Sequence, residues 1–395
     1  MDLATFRELL SPHGQAALAA AAALGPTEAA YLTSFDRLRK SYPAHLAKAA
    51  LETVLLRVRA REKFASADRL YFTRESLQQS SGTAVARTHA ARFAPYGRVA
   101  DLCAGVGGDA LAMATVGLTV RAVEQDPLRA AMLAANASAL GLADRVRVTE
   151  GDALTVDLGD VSAAFADPAR REGERRHLDP EAYTPPLSAI RGRFRPNFPL
   201  GVKIAPGVAH ADIAALGAEV EFVSHAGELK ECVLWFGPLR TAERRATLVP
   251  SGLTRQAESP PTLAGVAPVG PYVYDPDPAV VRAGLAGLVA DELGLTPIDG
   301  TVAMLTGEEV VSSPLVTGYR VELAERANPT RLRSYLRERE VGRVTFVKRG
   351  SLVDSEDLRK KLKLTGAGHR VVLLTRAGGE QMMLVGERLG EEHGG

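Results

Sequence analysis

The segment VADLCAGVGGDALAMA, residues 99 to 114, constrains this chain more than any other. An apolar run is followed by Gly105, Gly107 and Gly108 and then by helix-forming residues. A ligand's ribose or phosphate approaches a backbone only where side chains are absent, and a helix beginning just beyond presents free N–H groups. Short apolar runs recur as TVRAVE, RVRVTEGD, SAAFAD and GVKIAP, separated by stretches of helix formers. Strand and helix in alternation build a parallel sheet with helices on both faces. The expected fold class is therefore α/β with a Rossmann-like core.

The loop alone does not choose a ligand. With Ala110 in the third position it also satisfies the nicotinamide dinucleotide fingerprint. Glu124 closes the next strand, where an acid accepts hydrogen bonds from both ribose hydroxyls, and this fits either cofactor. VRVTEGDA puts Gly151 and Asp152 after a third strand, where a carboxylate accepts from an adenine amino group. SAAFADPARR ends a fourth strand with Asp167 and Pro168, at the carboxyl edge where ligands of open α/β sheets sit. An Asp-Pro there serves methyl transfer and has no use in a nicotinamide enzyme. Each acid also has a plain structural use: Asp101 capping its own turn, Glu124 and Asp126 starting a helix. Capping does not account for the ordered set.

In this order the motifs resemble those of the class I S-adenosylmethionine-dependent methyltransferases. Asp101-Leu-Cys-Ala-Gly105-Val-Gly107-Gly108 matches their first motif, in which the acid opposite the glycines faces the methionine end of the cofactor. The resemblance implies S-adenosyl-L-methionine as cofactor, with contacts from Asp101, Cys103, Ala104, Gly105, Gly107 and Gly108. It adds Glu124 and Gln125 after the second strand, Gly151, Asp152 and Ala153 after the third, and Asp167 after the fourth. Asp167, Pro168 and Arg170 are the catalytic candidates it implies. The form DLCAGVGGDALA is also similar to the trimethylguanosine synthases, which modify RNA caps. YDPDPAVVRAG and VKRGSLVDSEDLRKKLKLTG near the other end resemble a bacterial family in which such a core precedes a THUMP-like domain.

At 395 residues the chain exceeds what one core organises. The expected layout is a helical N-terminal region over 1–81, the Rossmann-like domain over 82–243, a linker rich in Pro, Gly and Ser over 244–269, and a THUMP-like α/β domain over 270–395. In the first, Leu46, Ala49, Ala50, Val54, Leu55 and Val58 recur at helical spacing, and Pro26 and Pro43 mark breaks. In the last, a helix is expected over 278–293 and strands at RVTFVKRG and RVVLLTRA. Cys103 and Cys232 are too few for a disulfide framework or a four-thiolate zinc site, so no metal is expected and a reducing cytoplasm fits. Cys103 reads as a small buried residue rather than a nucleophile. The longest apolar run, AALAAAAAL, is too short to span a bilayer, and the first residues lack the order of a signal peptide.

The acceptor is written less plainly. Enzymes that methylate exocyclic base nitrogens follow the acid with Pro-Pro and a stacking aromatic, whereas Ala169 and Arg170 stand in the last two places here. The Asp-Pro-x-Arg form is closer to the uridine 5-methyltransferases, but the strand that should supply their attacking cysteine reads Gly201-Val-Lys-Ile-Ala-Pro206. Lys203 is a candidate for an acceptor phosphate or a solvated strand end. Lys plus Arg total 48 against 47 Asp plus Glu, so any basic surface is local. Residues 170–195 carry seven arginines against four acids, and 331–363 carry eleven Lys and Arg against five acids. These stretches make RNA, as a tRNA or rRNA base, the expected substrate class. A small-molecule methyltransferase and a non-catalytic RNA-associated protein also fit the core motifs.

Overall fold

The structure, a computed structural model, describes residues 1–172, 175–259 and 261–390. They fall into two compact units, those within Met1–Ala218 and Glu231–Thr241, and those within Glu219–Lys230 and 242–390.

The first unit opens with α1 (Leu3–Leu10), α2 (Pro12–Ala23), α3 (Tyr31–Leu38) and α4 (Ala44–Ala60). The breaks are local chemistry. Ser11 caps α2 by accepting from the Gly14 N–H, and Pro12 occupies the first turn, where its missing N–H costs nothing. Pro43 stands immediately before α4, as the sequence implies. The buried face of α4 is wider than the expected stripe: Leu46, Ala49, Ala50, Leu51, Leu55 and Leu56 lie in the core, while Val58 is 47% exposed. A helix flanked by others on several sides buries more than one stripe. Phe6, Leu9, Leu18, Phe64 and Phe72 complete that cluster.

After α5 (Arg74–Gln79) and α6 (Thr83–Phe93) the sheet begins. Strands β1 (Arg98–Leu102), β2 (Thr119–Glu124), β3 (Val146–Glu150), β4 (Ala163–Ala166) and β5 (Leu200–Ile204) are accompanied by α7 (Gly108–Thr115), α8 (Pro127–Ala139) and α9 (Leu187–Gly192). Then come α10 (His210–Ala214), β6 (Glu219–His225) and β7 (Glu228–Phe236). In the first unit the strand order is β7-β5-β4-β1-β2-β3, parallel except where Cys232–Phe236 of β7 runs against β5. The five parallel strands therefore end at one edge and deliver the loops after Leu102, Glu124, Glu150, Ala166 and Ile204 to the same side.

Behind that edge Phe93, Phe165 and Trp235 pack with ring centroids 5.7 to 6.2 Å apart. Gly201 on β5 is required by this cluster, because an added Cβ would lie 2.5 Å from Trp235 Cζ3 and 2.9 Å from Phe165 Cδ2.

The second unit contains β6 with β8 (Arg244–Val249) parallel to it and β9 (Leu253–Ala257) antiparallel to β8. The stretch 244–269, expected as linker, is thus half sheet: Pro250, Ser251 and Gly252 are the turn of a hairpin, which has the same composition as a linker. A seven-stranded sheet follows, built from β10 (Tyr272–Pro276), β11 (Thr296–Pro297), β12 (Leu305–Gly307), β13 (Val316–Arg326), β14 (Val341–Lys348), β15 (Gly368–Ala377) and β16 (Glu380–Arg388). Its order is β11-β12-β10-β13-β16-β15-β14, with β14 at the edge and parallel to β15. The helix expected over 278–293 is two, α11 (Pro278–Ala283) and α12 (Ala286–Leu293), because Gly284 turns left-handed with φ +73°. Helices α13 (Pro329–Glu338) and α14 (Ser355–Leu362) bring Leu332, Leu336, Leu358 and Leu362 into one core with Val372 and Val385.

The packing at Gly201 gives a first test. Gly201→Ala is expected to lower unfolding stability by about 1–3 kcal/mol, since rigid rings leave no room for the methyl group. Urea denaturation reads this directly, and an unchanged midpoint would contradict the packing described.

Candidate functional site at the carboxyl edge of the parallel sheet

The chain leaves β1 through Cys103, held left-handed at φ +61°, and passes Gly105 at +57° and Gly107 at +100° before α7 begins. At Gly107 the small residue is obligatory, because a Cβ would come 2.1 Å from Leu133 Cδ1 and 3.1 Å from Leu111 Cγ. At Gly105 a Cβ would meet nothing within 4 Å, so this glycine borders open space. Glu124, buried at the end of β2, braces the loop from the next strand: Oε2 accepts from the Gly105 N–H at 2.8 Å and Oε1 from the Asp126 N–H at 2.9 Å. Gln125 beside it is exposed. Past β3, the Gly151 N–H donates to the Glu124 carbonyl at 3.0 Å. Asp152 is exposed, with Oδ1 accepting from the Leu154 N–H at 2.8 Å, and Ala153 is buried. Asp126 does cap α8, by accepting from the Arg129 N–H.

Asp101 is 1% exposed, and its Oδ2 has no hydrogen-bond partner. Burial, then the neighbouring Asp109 and Asp167, push its carboxyl well above the usual range. A buried, unpartnered carboxyl oxygen costs about 1–3 kcal/mol and calls for a donor. The Cys103 thiol is partly buried and pushed up by burial and by Asp167, the opposite of what a nucleophile needs.

Asp167 follows β4, with Pro168 buried and Ala169 exposed. The backbone of Ala169 exchanges hydrogen bonds with Thr184, at 2.9 and 3.0 Å, so its carbonyl is already engaged. Arg170 donates to the Ile204 carbonyl at 3.3 Å. The sequence offers Lys203 as a phosphate contact or a solvated end; instead it is 1% exposed, because on a central strand its side chain has no route to water. Its ammonium meets Asp167 Oδ2 at 2.8 Å, Ser81 Oγ at 2.9 Å and Glu231 Oε1 at 3.0 Å. Ser81 Oγ also lies 2.7 Å from Glu231 Oε1 and 3.3 Å from Asp109 Oδ2. His89 Nδ1 is 2.7 Å from Asp109 Oδ1. Its Nε2 lies 3.2 Å from Glu231 Oε2, close enough for an ion pair but off line for a hydrogen bond.

Ser81, His89, Asp109 and Glu231 were not legible as site residues. The available signal was charge embedded in apolar segments, as in GVKIAP and ECVLWF. The arginine-rich stretch 170–195 is also reduced. The side chains of Arg171, Arg175 and Arg176 lie outside the described residues. Arg191 stands 4.6 Å over the Phe236 ring, and Arg193 donates to the Ala153 carbonyl at 2.5 Å and to the Val156 carbonyl. Among the described residues no group of three His, Cys, Asp or Glu side chains is disposed to hold a metal ion, and no helix is long and apolar enough to cross a membrane.

Comparison with known proteins agrees with this geometry. Residues 62–150 match the family described as "Putative SAM-dependent methyltransferase", residues 316–388 the one described as "THUMP domain-like", and residues 2–60 a domain of unknown function. An uncharacterized S-adenosylmethionine-dependent methyltransferase of Mycobacterium tuberculosis, found in two strains, is 34% identical over 342 residues, covering 83% of this chain and 92% of the relative. The crystal structure of a "putative methyltransferase" from Porphyromonas gingivalis W83 shares the fold, with a TM-score of 0.70 at 20% identity over 95% of this chain and 98% of that one. Fold and site define a Rossmann-like, cofactor-dependent transferase. The chain belongs to the S-adenosylmethionine-dependent methyltransferases, as the four motifs imply, and carries a C-terminal THUMP-like domain.

Burial by itself lowers the pKa of His89, but Asp109 and then Glu231 outweigh it, so the imidazole is held above its ordinary value. Stability from this charge is fully present below the unfolded value of about 6.5 and is lost as pH rises through the higher folded value. Wild-type melting temperature should therefore fall on raising the pH above neutrality, and His89→Gln should flatten that limb. Equal slopes in a fluorimetric pH series would show that His89 carries no proton in the fold.

Proposed function

We propose that this methyltransferase modifies RNA, at a tRNA or rRNA base, in the cytoplasm. The observation that carries the substrate class is the positive excess over residues 331–363 of the THUMP-like domain, eleven Lys and Arg against five acids. Arg349 is paired with Asp275 at 2.8 Å, and Arg359 is used in packing, 5.0 Å over Phe346 and donating to the Val344 carbonyl. Arg343, Lys348, Lys360, Lys361 and Lys363 are exposed and have no ion-pair partner among the described residues. A groove of about 550 Å³ beside the edge strand β14 is lined by Arg343, Thr345, Phe346, Arg359, Lys363 and His369, with no acid among them. An aromatic set among cations is the chemistry that holds a nucleotide chain.

The residues at the carboxyl edge fit S-adenosyl-L-methionine. Asp101 offers an orphaned oxygen to the amino group of the methionine moiety, and Gly105 borders the open space a nucleoside needs. Each oxygen of Glu124 accepts one backbone N–H and retains a second lone pair for a ribose hydroxyl. Asp152, exposed past β3, is the residue we assign to the adenine amino group. When bound, the cofactor supplies a methyl group on a sulfonium, a leaving group needing no acid. The protein's share is then alignment and, for an acceptor that carries one, removal of a proton. Asp167 is the residue we assign to that share: Lys203 occupies Oδ2, and no described residue donates to Oδ1. Pro168 and Arg170 shape its loop.

Two outcomes check this reading. Gly107→Asp is expected to abolish cofactor binding by calorimetry, whereas Asp167→Ala should reduce turnover at least a hundredfold with affinity for the uncharged product S-adenosylhomocysteine within a few-fold of wild type. Full turnover in Asp167→Ala would remove it from the mechanism. For the substrate class, reversing Lys360, Lys361 and Lys363 to Glu should weaken RNA binding and lower the log–log salt slope by about one per lost contact, with cofactor affinity unchanged. RNA affinity equal to wild type in a correctly folded triple variant would favour a small-molecule acceptor.

A further inference from the structure

The ammonium of Lys203 has three hydrogens and three oxygen partners, Asp167 Oδ2, Ser81 Oγ and Glu231 Oε1, all within 3.0 Å. Its direction is therefore fixed from three sides. Ser81 precedes α6, Lys203 lies on β5 and Glu231 on β7. Asp109 sits in the first turn of α7, directly after the glycine loop, and reaches the same cluster through Ser81 and His89. The cluster thus ties the loop that borders the cofactor space to the acid at the acceptor edge. Asp109, Glu231 and Asp167 as carboxylates against Lys203 and His89 as cations leave one net negative charge in a site sealed from water on the Lys203 side.

We propose that Lys203 is the positioning residue of the methyl-transfer site: it holds Asp167 by one oxygen, leaves the other for the acceptor, and offsets the negative field that a sulfonium meets there. The proposal rests on the assignment of Asp167 to that site. A neutral hydrogen-bond donor could orient a carboxylate equally well; a cation buried among three carboxylates additionally sets the charge. S-adenosylmethionine carries a positive sulfonium, and the product, S-adenosylhomocysteine, is a neutral thioether. The ratio of their affinities therefore reads the local field without any acceptor, and a purely structural lysine would not move it.

The test is calorimetry of both nucleosides on the full-length protein. Lys203→Met is expected to raise the preference for S-adenosylmethionine over S-adenosylhomocysteine by about tenfold, the size expected for one unit charge at several ångströms in a partly screened site. Asp167→Asn should lower the preference, and the double variant, which removes one charge of each sign, should return it to within about threefold of wild type. Because Lys203→Met strands buried carboxylates and can cost the fold, Glu231→Gln is the second probe. It keeps Lys203 against Asp167 and is expected to lower the preference several-fold. An unmoved ratio in folded Lys203→Met, or in Glu231→Gln, overturns the role of Lys203 while leaving that of Asp167 intact if Asp167→Asn still shifts. A wild-type ratio and wild-type turnover in Asp167→Asn overturn the assignment of Asp167 itself, and the proposal with it.

Discussion

The contact between Lys203 and Asp167 is the interaction on which the site depends. Lys203 is fully buried whereas Asp167 is 24% exposed, so the cost of separation falls on the lysine: an unpaired buried ammonium costs several kcal/mol. Satisfying Lys203 requires Ser81, Asp167 and Glu231 to converge, and satisfying Glu231 and Asp109 in turn requires His89. Five segments, spread from Ser81 to Glu231, are thereby fixed at one place behind the carboxyl edge. The parallel order β5-β4-β1 brings the ends of those strands together, and antiparallel β7 returns Glu231 beside Lys203. Hydrophobic packing of Phe93, Phe165 and Trp235 holds the sheet; the ionic cluster decides what stands at its edge.

Glu124 shows that structural and functional readings of one residue need not compete. Its carboxylate accepts from Gly105 and Asp126, which sets the loop conformation and the entry to α8. The same two bonds orient the lone pairs that remain. The left-handed backbone at Cys103, Gly105 and Gly107 would be strained in an isolated peptide at the non-glycine position, and it persists because neighbouring strands overdetermine it.

The local part of this site was legible in the sequence because its chemistry is local. A strand, a glycine loop and a helix occupy sixteen consecutive residues, 99 to 114, and Glu124, Asp152 and Asp167 each follow an apolar run. Ser81, His89 and Glu231 are different: their meaning comes from partners up to 150 positions away, and single-sequence pattern carries no such distance. Lys203 was misplaced for the same reason, since a lysine at a strand end is solvated unless the sheet continues beyond it, and here it does. The hairpin at 244–257 was hidden by its own turn, Pro250-Ser251-Gly252, whose composition is that of a linker. Gly284 divided a helix whose apolar pattern ran through it.

The acceptor is where the chain departs from better-known relatives of its fold. Ala169 presents no ring to stack on a base, its carbonyl is engaged by Thr184, and no cysteine stands on β5 to attack a pyrimidine. On the function proposed above, recognition falls to elements outside the fourth motif, chief among them the basic stretch 331–363 of the THUMP-like domain. The most direct measurement is transfer of labelled methyl from S-adenosylmethionine to fractions of total RNA, protein and small metabolites taken from cells lacking this enzyme. The account predicts label in a discrete RNA species, lost with Asp167→Ala; label confined to protein or to a metabolite would contradict it.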